Sequence, residues 1–170
     1  MRLRHFAVPA AIALLCAGVA GAQDIASVKT VTVTGKDGAR AGLATRTAAP
    51  KGVIIRLERS GLTPGWHGAH LHEKGDCSAA DFTSAGAHVH GSMPVTHGLL
   101  NAGATDMGDL PNVFAGADGK VNAELYTTSV TLAALLDADG SSVVVHASPD
   151  DYKSQPIGGA GARVACAVIK

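Results

Sequence analysis

The sequence predicts an all-β fold, an eight-stranded Greek-key sandwich or barrel of immunoglobulin-like type with two long functional loops. Three observations favour this class. Only 4% of the residues are aromatic while 21 of the 170 are glycine, which is typical of short strands and turns rather than a helix bundle. Short apolar or alternating segments recur between glycine-rich turns. A hydrophobic fraction of 46% excludes wholesale disorder.

The first 22 residues are predicted to be a cleaved secretory signal peptide. Arg2 and Arg4 precede an apolar run over 6–19, and small residues lead up to Gln23. The mature domain would be residues 23–170, and no later segment is apolar enough for a membrane span, so we expect no membrane attachment after cleavage. Cleavage removes two basic residues and no acid, which changes the net charge from zero to −2. Without a basic run we expect no nucleic-acid partner.

The strands follow in order along the mature domain. Residues 28–34 alternate valine with lysine and threonine and end at a glycine-bounded hairpin turn. The remaining predicted strands are 41–47, 52–59, 66–72, 113–115, 121–126, 141–147 and 161–169. Residues 131–136 favour either a short helical turn or part of a connection. The connections 73–112 and 148–160 are too long for simple turns, and ordered loops of this length are usually functional.

Histidine is the unusual residue of this composition, and six of the eight lie within residues 67–97. On a strand, residues i and i+2 face the same side, so His70 and His72 can converge on one metal ion, whereas His67 has the opposite parity. Imidazole is the common ligand of zinc and copper. The pattern therefore indicates a metal site at this strand.

The first long loop adds further candidate ligands, namely His88, His90, His97, Asp106 and Asp109. His146 ends an apolar run where a buried strand would otherwise carry another apolar residue. Exposed strand histidines or a hydrogen-bonded core histidine would be the simpler interpretation of each position alone. Their combination favours metal binding, because no nucleophile, zinc-protease or phosphate-binding motif competes.

Cys77 and Cys166 are the two cysteines left after signal cleavage. Two cysteines in an exported chain favour one disulfide, here closing a loop of about 90 residues. Two buried free thiols are the alternative.

Residues 65–77 read GWHGAHLHEKGDC and resemble the copper-ligand strand of the copper/zinc superoxide dismutases, with an ending similar to the bacterial periplasmic branch. Four more segments resemble the same family in its order: 84–88 (bridging histidine), 108–112 (zinc aspartate), 144–146 (last copper strand) and 159–166 (active-site arginine and second half-cystine). The resemblance covers essentially the whole mature chain. It implies a periplasmic enzyme that dismutates superoxide with copper and zinc as cofactors, and it allows a homodimer.

The resemblance also implies roles for individual residues. The implied copper ligands are His70, His72, His88 and His146. His88 would bridge copper to zinc and act as a proton donor, and the further zinc ligands would include His97 and Asp109. Asp150 would link a copper-ligand histidine to a zinc-ligand histidine. Arg163 would guide the superoxide anion, and a Cys77–Cys166 disulfide would tie the long loop to the last strand.

The chain departs from the family at Asp106, where the pattern has a zinc-binding histidine three residues before Asp109. Asp106 could replace that histidine, His90 could swing in, or the zinc site could be weakened. We favour Asp106 as the fourth zinc ligand, with His88, His97 and Asp109, because carboxylate is an ordinary zinc ligand. Two other functions remain open, a non-catalytic copper-binding or delivery domain and a zinc hydrolase or zinc-stabilised binding module.

Overall fold

The computed structural model describes residues 28–91 and 93–170, so the predicted signal peptide lies outside the described residues. Strands dominate this part of the chain, with one short α-helix and one 3-10 turn over Thr83–Ala85. The elements are β1 Val28–Gly35, β2 Arg40–Ala49, β3 Gly52–Arg59, β4 Gly65–His67, β5 Ala69–His72, β6 Val113–Ala115, β7 Val121–Thr127, α1 Leu132–Leu135, β8 Ser141–His146 and β9 Arg163–Ile169.

All strand pairs are antiparallel, and seven strands form one sheet in the order β5-β8-β9-β1-β2-β3-β7. β4 and β6 form a separate pair. β4 leads into β5 after one residue and β6 leads into β7 through a tight turn, so the small pair connects the two edges of the large sheet. Neighbours such as β1–β9 and β3–β7 are distant in sequence, as a Greek key requires. The predicted all-β Greek-key class is confirmed.

One predicted strand, 66–72, is not continuous. Gly68 interrupts it, because its N–H donates to the Ser148 carbonyl at 2.8 Å and its carbonyl accepts from His146 N at 2.9 Å. A Cβ at this position would lie 2.9 Å from the Cβ of Ala160, so only glycine allows this close approach. The chain therefore changes partner from β6 to β8 at this residue, and the predicted strand becomes β4 and β5.

The core lies on the inner face of the curled sheet. Val53, Ile55 and Leu57 alternate inward along β3 and are buried, as the period-2 pattern predicts. The predicted short helical segment is α1, where the Thr131 side chain accepts a hydrogen bond from Ala134 N. The first long loop is hydrogen-bonded to β5 through Leu71 and the second begins after β8, and the two loops carry the polar residues described next.

Candidate metal centre

Backbone hydrogen bonds attach the first long loop to β5. Leu71 N donates to the Gly108 carbonyl at 2.8 Å, and Val89 N donates to the Leu71 carbonyl at 2.9 Å. Isolated bridges consequently pair His72 with His88 and His70 with Asp109. This short ladder brings loop residues that are distant in sequence beside the His-x-His strand.

Four buried histidines form the first cluster. One ring nitrogen of each lies within 4.8 Å of the others, and the residues are His70, His72, His88 and His146. The atoms without a hydrogen-bond partner are His70 Nδ1, His72 Nε2, His88 Nε2 and His146 Nε2. Buried polar atoms are normally partnered, so four unpartnered nitrogens converging on one point fit a copper ion.

The opposite nitrogen of each ring is held by the protein. His72 Nδ1 donates to the Gly86 carbonyl at 3.0 Å, and His146 Nδ1 donates to the Gly161 carbonyl at 2.9 Å. His70 Nε2 donates to Asp150 Oδ2 at 2.8 Å. Because one nitrogen carries the donated proton, the other keeps its lone pair directed into the cluster. The network thus fixes both the tautomer and the orientation of these rings.

A second cluster shares His70 and His88 with the first. One grouping of ligand atoms within 4.8 Å of one another comprises His70, His88, His97 and Asp109. His97 Nδ1 and Asp109 Oδ1 are 2.6 Å apart without hydrogen-bond geometry, and neither has another partner. His88 Nδ1 lies 3.6 Å from the same oxygen. Nitrogen and carboxylate donors of this kind suit zinc.

Asp106 is not one of the four residues whose ligand atoms all lie within 4.8 Å of one another, but it contacts two of them. Its Oδ2 accepts from His88 Nδ1 at 2.7 Å and is 3.6 Å from His97 Nδ1, while its Oδ1 accepts from Gly108 N. These contacts with His88 and His97 place the Asp106 carboxylate where it can reach a zinc ion. His90 is turned away, because its Nδ1 donates to the His88 carbonyl at 2.9 Å and its ring is partly exposed.

Asp150 connects the two clusters. Its Oδ1 accepts from His97 Nε2 at 3.1 Å, and its other oxygen accepts from His70. Asn112 holds it in place, because Asn112 Oδ1 accepts from Asp150 N and Asn112 Nδ2 donates to the Asp150 carbonyl. Asn112 was not predicted as a site residue, although it is the last residue of the segment 108–112 that resembles the family.

Burial and neighbouring charges lower the pKa of two of the site histidines and raise the pKa of a third. Burial, with the neighbouring charge of His88, lowers the pKa of His72 to about 2. Burial, with His70 nearby, lowers the pKa of His146 to about 4. Burial also disfavours a charged His88, but the hydrogen bond with Asp106 and the nearby negative charge of Asp109 outweigh it and raise its pKa to about 9. Without metal, His88 therefore carries a proton between its two carboxylates.

Arg163 lies at the start of β9 and is held by the first long loop. Its Nη1 donates to the Phe82 carbonyl at 2.6 Å and its Nη2 to the Gly86 carbonyl at 2.7 Å. The predicted Cys77–Cys166 disulfide is present, with a sequence separation of 89. Phe82 packs beside Cys166 in a small second core, so the disulfide and this packing position the segment that holds Arg163.

His67 does not belong to either cluster, as predicted, although the strand breaks at Gly68 and parity along one continuous strand does not apply. Its Nδ1 lies 2.7 Å from the His146 carbonyl and its Nε2 lies 2.8 Å from the Thr63 carbonyl. His67 therefore links β4 to β8 through the backbone carbonyl of His146.

The fold and the two joined clusters define a class of protein, a Greek-key β-barrel enzyme with a histidine-rich centre for two metal ions. Residues 22–169 match the family model described as copper/zinc superoxide dismutase (SODC). A Cu-Zn superoxide dismutase of Caulobacter vibrioides is 63% identical over 147 residues, covering 83% of this chain and 84% of the relative. The chain belongs to the copper/zinc superoxide dismutases. It dismutates superoxide to oxygen and hydrogen peroxide, with copper and zinc as cofactors.

Solved structures agree with this assignment. The Cu/Zn superoxide dismutase from Brucella abortus superimposes with a TM-score of 0.71 at 33% identity, covering 84% of this chain and 99% of that one. A superoxide dismutase-like protein from Bacillus subtilis superimposes with a TM-score of 0.76 at 33% identity, covering 83% and 97%.

Proposed function

We propose that the activity resides in the paired clusters, with copper bound by the first and zinc by the second. The proposed copper ligands are His70, His72, His88 and His146, and the proposed zinc ligands are His88, His97, Asp106 and Asp109. The single observation that carries the proposal is the convergence of four buried, unpartnered ring nitrogens at the first cluster. Such atoms are costly unless a ligand satisfies them.

Copper held by these four histidines would supply the one-electron chemistry by which one superoxide is oxidised to oxygen and a second is reduced to peroxide. The chain itself supplies the geometry and one of the two protons that hydrogen peroxide requires. His88 is the one ring proposed as a ligand of both metals, and its Nε2 faces the first cluster while Nδ1 is held by Asp106. We assign one of the two protons that convert peroxide to hydrogen peroxide to His88 Nε2, and the second to solvent water.

Arg163 is the residue we propose for substrate binding. Its guanidinium carries a permanent positive charge, is partly exposed, and is fixed by the Phe82 and Gly86 carbonyls. His72 Nδ1 donates to that same Gly86 carbonyl, which couples the position of Arg163 to the copper cluster. A small anion can therefore be held beside the cluster by donors that need no rearrangement.

The decisive experiment compares His146→Ala with His90→Ala. We expect His146→Ala to lose copper stoichiometry and superoxide dismutation together, because it removes one of the four converging nitrogens. His90→Ala is the matched control, since it removes a histidine that points away from both clusters. A fully copper- and zinc-loaded wild-type protein with only background activity would reject the proposal.

We further propose that the chain is exported to the periplasm and that residues 1–22 are removed, leaving 23–170. Two features support this: the Cys77–Cys166 disulfide, which is typical of oxidising compartments, and the bacterial sources of its relatives. Within the described residues, the helices are all too short to cross a membrane. Mass spectrometry of the protein from a periplasmic fraction should give a chain that begins at Gln23; an uncleaved chain in the cytosolic fraction would contradict it.

A homodimer is proposed through the small β4–β6 pair. Trp66 and Phe114 are opposite each other there, with ring centroids 5.1 Å apart, and are 56% and 54% exposed. Exposed paired aromatic rings are typical of protein interfaces. Light scattering should give twice the chain mass for the wild-type protein and a monomer for Trp66→Ser; a monomeric wild-type protein would contradict the proposal.

A further inference from the structure

A cavity of about 570 Å³ lies outside the metal centre. It opens between the β1–β2 hairpin and the segment that follows β3, and Ala147 and Val164 form part of its wall. None of the metal-cluster side chains lines it. Cavities of this size accommodate small organic molecules.

Arg59 is the unusual residue of this cavity. It continues the inward alternation of Val53, Ile55 and Leu57 along β3, where another apolar residue would be expected. Only 7% of Arg59 is exposed. Its Nη2 donates to the Val164 carbonyl at 3.1 Å, while Nε and Nη1 are buried without a hydrogen-bond partner. A guanidinium held in this way is costly unless a further acceptor reaches it.

The charged residues around the cavity are mostly positive. Lys36 and Arg40 stand at its exposed rim, and Arg59 lies inside. Asp37 is the single acidic residue in the lining; its charge opposes the lowering of the Arg59 pKa by burial, and its Oδ1 accepts from Ala39 N at 3.0 Å. Three cations against one carboxylate leave the lining with an excess of positive charge, which favours an anionic occupant.

We propose that the Arg59 cavity is a binding site for a small organic anion that carries a carboxylate or phosphate group. The oxygens of that group accept hydrogen bonds from the unpartnered guanidinium nitrogens of Arg59, in the geometry that arginine forms with such anions. Lys36 and Arg40 add charge at the rim. The apolar body of the ligand packs against Leu62 and Val164, which also line the cavity.

The site is separate from the metal centre and does not depend on it. His67 stands between the two, lining the cavity on one side and contacting only the backbone carbonyl of the metal-cluster residue His146 on the other. Copper and zinc occupancy should therefore be the same with and without the anion.

Calorimetric titration of the metal-loaded protein tests the proposal, with inorganic phosphate and succinate as separate probes. Anions can also bind beside Arg163, so the informative quantity is the binding event that Arg59→Leu removes. Arg56→Leu is the matched control, because Arg56 lies on the same strand, points outward and pairs with Glu58. Superoxide dismutation of each variant checks that the protein is folded.

We expect one additional site per chain for at least one probe, and the probe that binds identifies the phosphate or the carboxylate class. Arg59→Leu should weaken it by about tenfold or more, because hydrogen bonds to a charged group are lost. Lys36→Gln and Arg40→Gln should each weaken it several-fold, more so at low salt. If Arg59→Leu does not fold, the loss of anion affinity in Lys36→Gln and Arg40→Gln tests the proposal instead. Equal binding by Arg59→Leu or by both rim variants, or no site for either probe up to about 10 mM, would overturn the proposal.

Discussion

Asp150 Oδ2 lies 2.8 Å from Nε2 of His70, and both side chains are completely enclosed. The same carboxylate reaches His97 with its other oxygen, so a single group orients one histidine of each cluster. Burial disfavours the ionised form of Asp150, yet hydrogen bonds from His70, Tyr152 N and His97 lower its pKa. The carboxylate is therefore charged at neutral pH and keeps both histidine protons on the side away from the metals.

Asp150→Asn should consequently weaken metal binding without removing a ligand. An amide has one acceptor oxygen, so it can hold only one of the two rings. Loss of such a partner typically costs about 10–100-fold in metal affinity. Zinc affinity, measured by competition with a chelator, should fall in this range. Asp139→Asn, at an exposed acid, is the control, and equal affinity in both variants would contradict the predicted role.

Asp106→Ala should lower zinc affinity by about tenfold or more, because it removes the carboxylate that contacts His88 and His97. Asp106→His should restore it, since imidazole is also a zinc ligand. His90→Ala separates the alternatives: if His90 completed the site, its removal would reduce zinc binding, whereas its orientation predicts no effect. Unchanged zinc stoichiometry and affinity in Asp106→Ala would exclude Asp106 as a ligand.

The disulfide should affect both stability and substrate binding. Cys77→Ser combined with Cys166→Ser is expected to lower the free energy of unfolding by about 2–4 kcal/mol, through the freedom gained by the unfolded chain. It should also lower kcat/KM at full copper occupancy, because the segment that holds Arg163 loses its attachment. Unfolding in urea and activity per bound copper measure the two effects. Unchanged activity per copper would show that the packing of Phe82 alone positions the arginine.

Much of the strand pattern was predictable because it depends on local chemistry. The alternation along β3 and the His70–His72 spacing follow from the period of a strand. His67 lies outside the clusters as predicted, but its parity could be used only by assuming one continuous strand. The break at Gly68 was not predicted. It arises from hydrogen bonds to β8 and the loop after it, which strand periodicity does not encode.

The loop geometry needed more than local pattern. Residues 88 and 109 are brought to β5 by backbone hydrogen bonds of Leu71. Because any residue can form such bonds, the amino-acid pattern does not predict them. The family resemblance supplied what periodicity could not, including Asp150. Neither strand periodicity nor the family resemblance predicted the role of Asn112 or the burial of Arg59, because each depends on contacts between segments far apart in the sequence.

Arg163→Ala should reduce kcat/KM by about tenfold or more while copper stoichiometry stays the same, because it removes a fixed donor and a positive charge from the substrate path. The rate of the unaltered protein should fall as ionic strength rises, and the slope should be shallower in Arg163→Ala. Arg163→Lys, which keeps the charge but cannot reach both carbonyls in the same way, should be intermediate. Parallel salt dependence in all three proteins would contradict an electrostatic role.

The metal-free protein should be most stable near neutral pH. His72 and His146 have folded-state pKa values of about 2 and about 4, well below the ordinary 6.5. Between pH 6.5 and these values the unfolded chain binds protons that the folded chain does not, so the free energy of unfolding falls as the pH is lowered. Urea midpoints of disulfide-intact, metal-free protein should show this decrease below about pH 6.5, and a flat acid limb would contradict it.

His88 should produce the opposite slope in alkali. Its folded-state pKa of about 9 lies above the ordinary 6.5, because the carboxylates of Asp106 and Asp109 outweigh the cost of burial. The stabilisation is fully present below pH 6.5 and is lost as the pH rises through about 9. In the same metal-free protein, His88→Gln should flatten this alkaline limb, whereas His90→Ala should leave it unchanged. An alkaline limb that persists in His88→Gln would assign the titration to another group and remove the proposed proton between the two carboxylates.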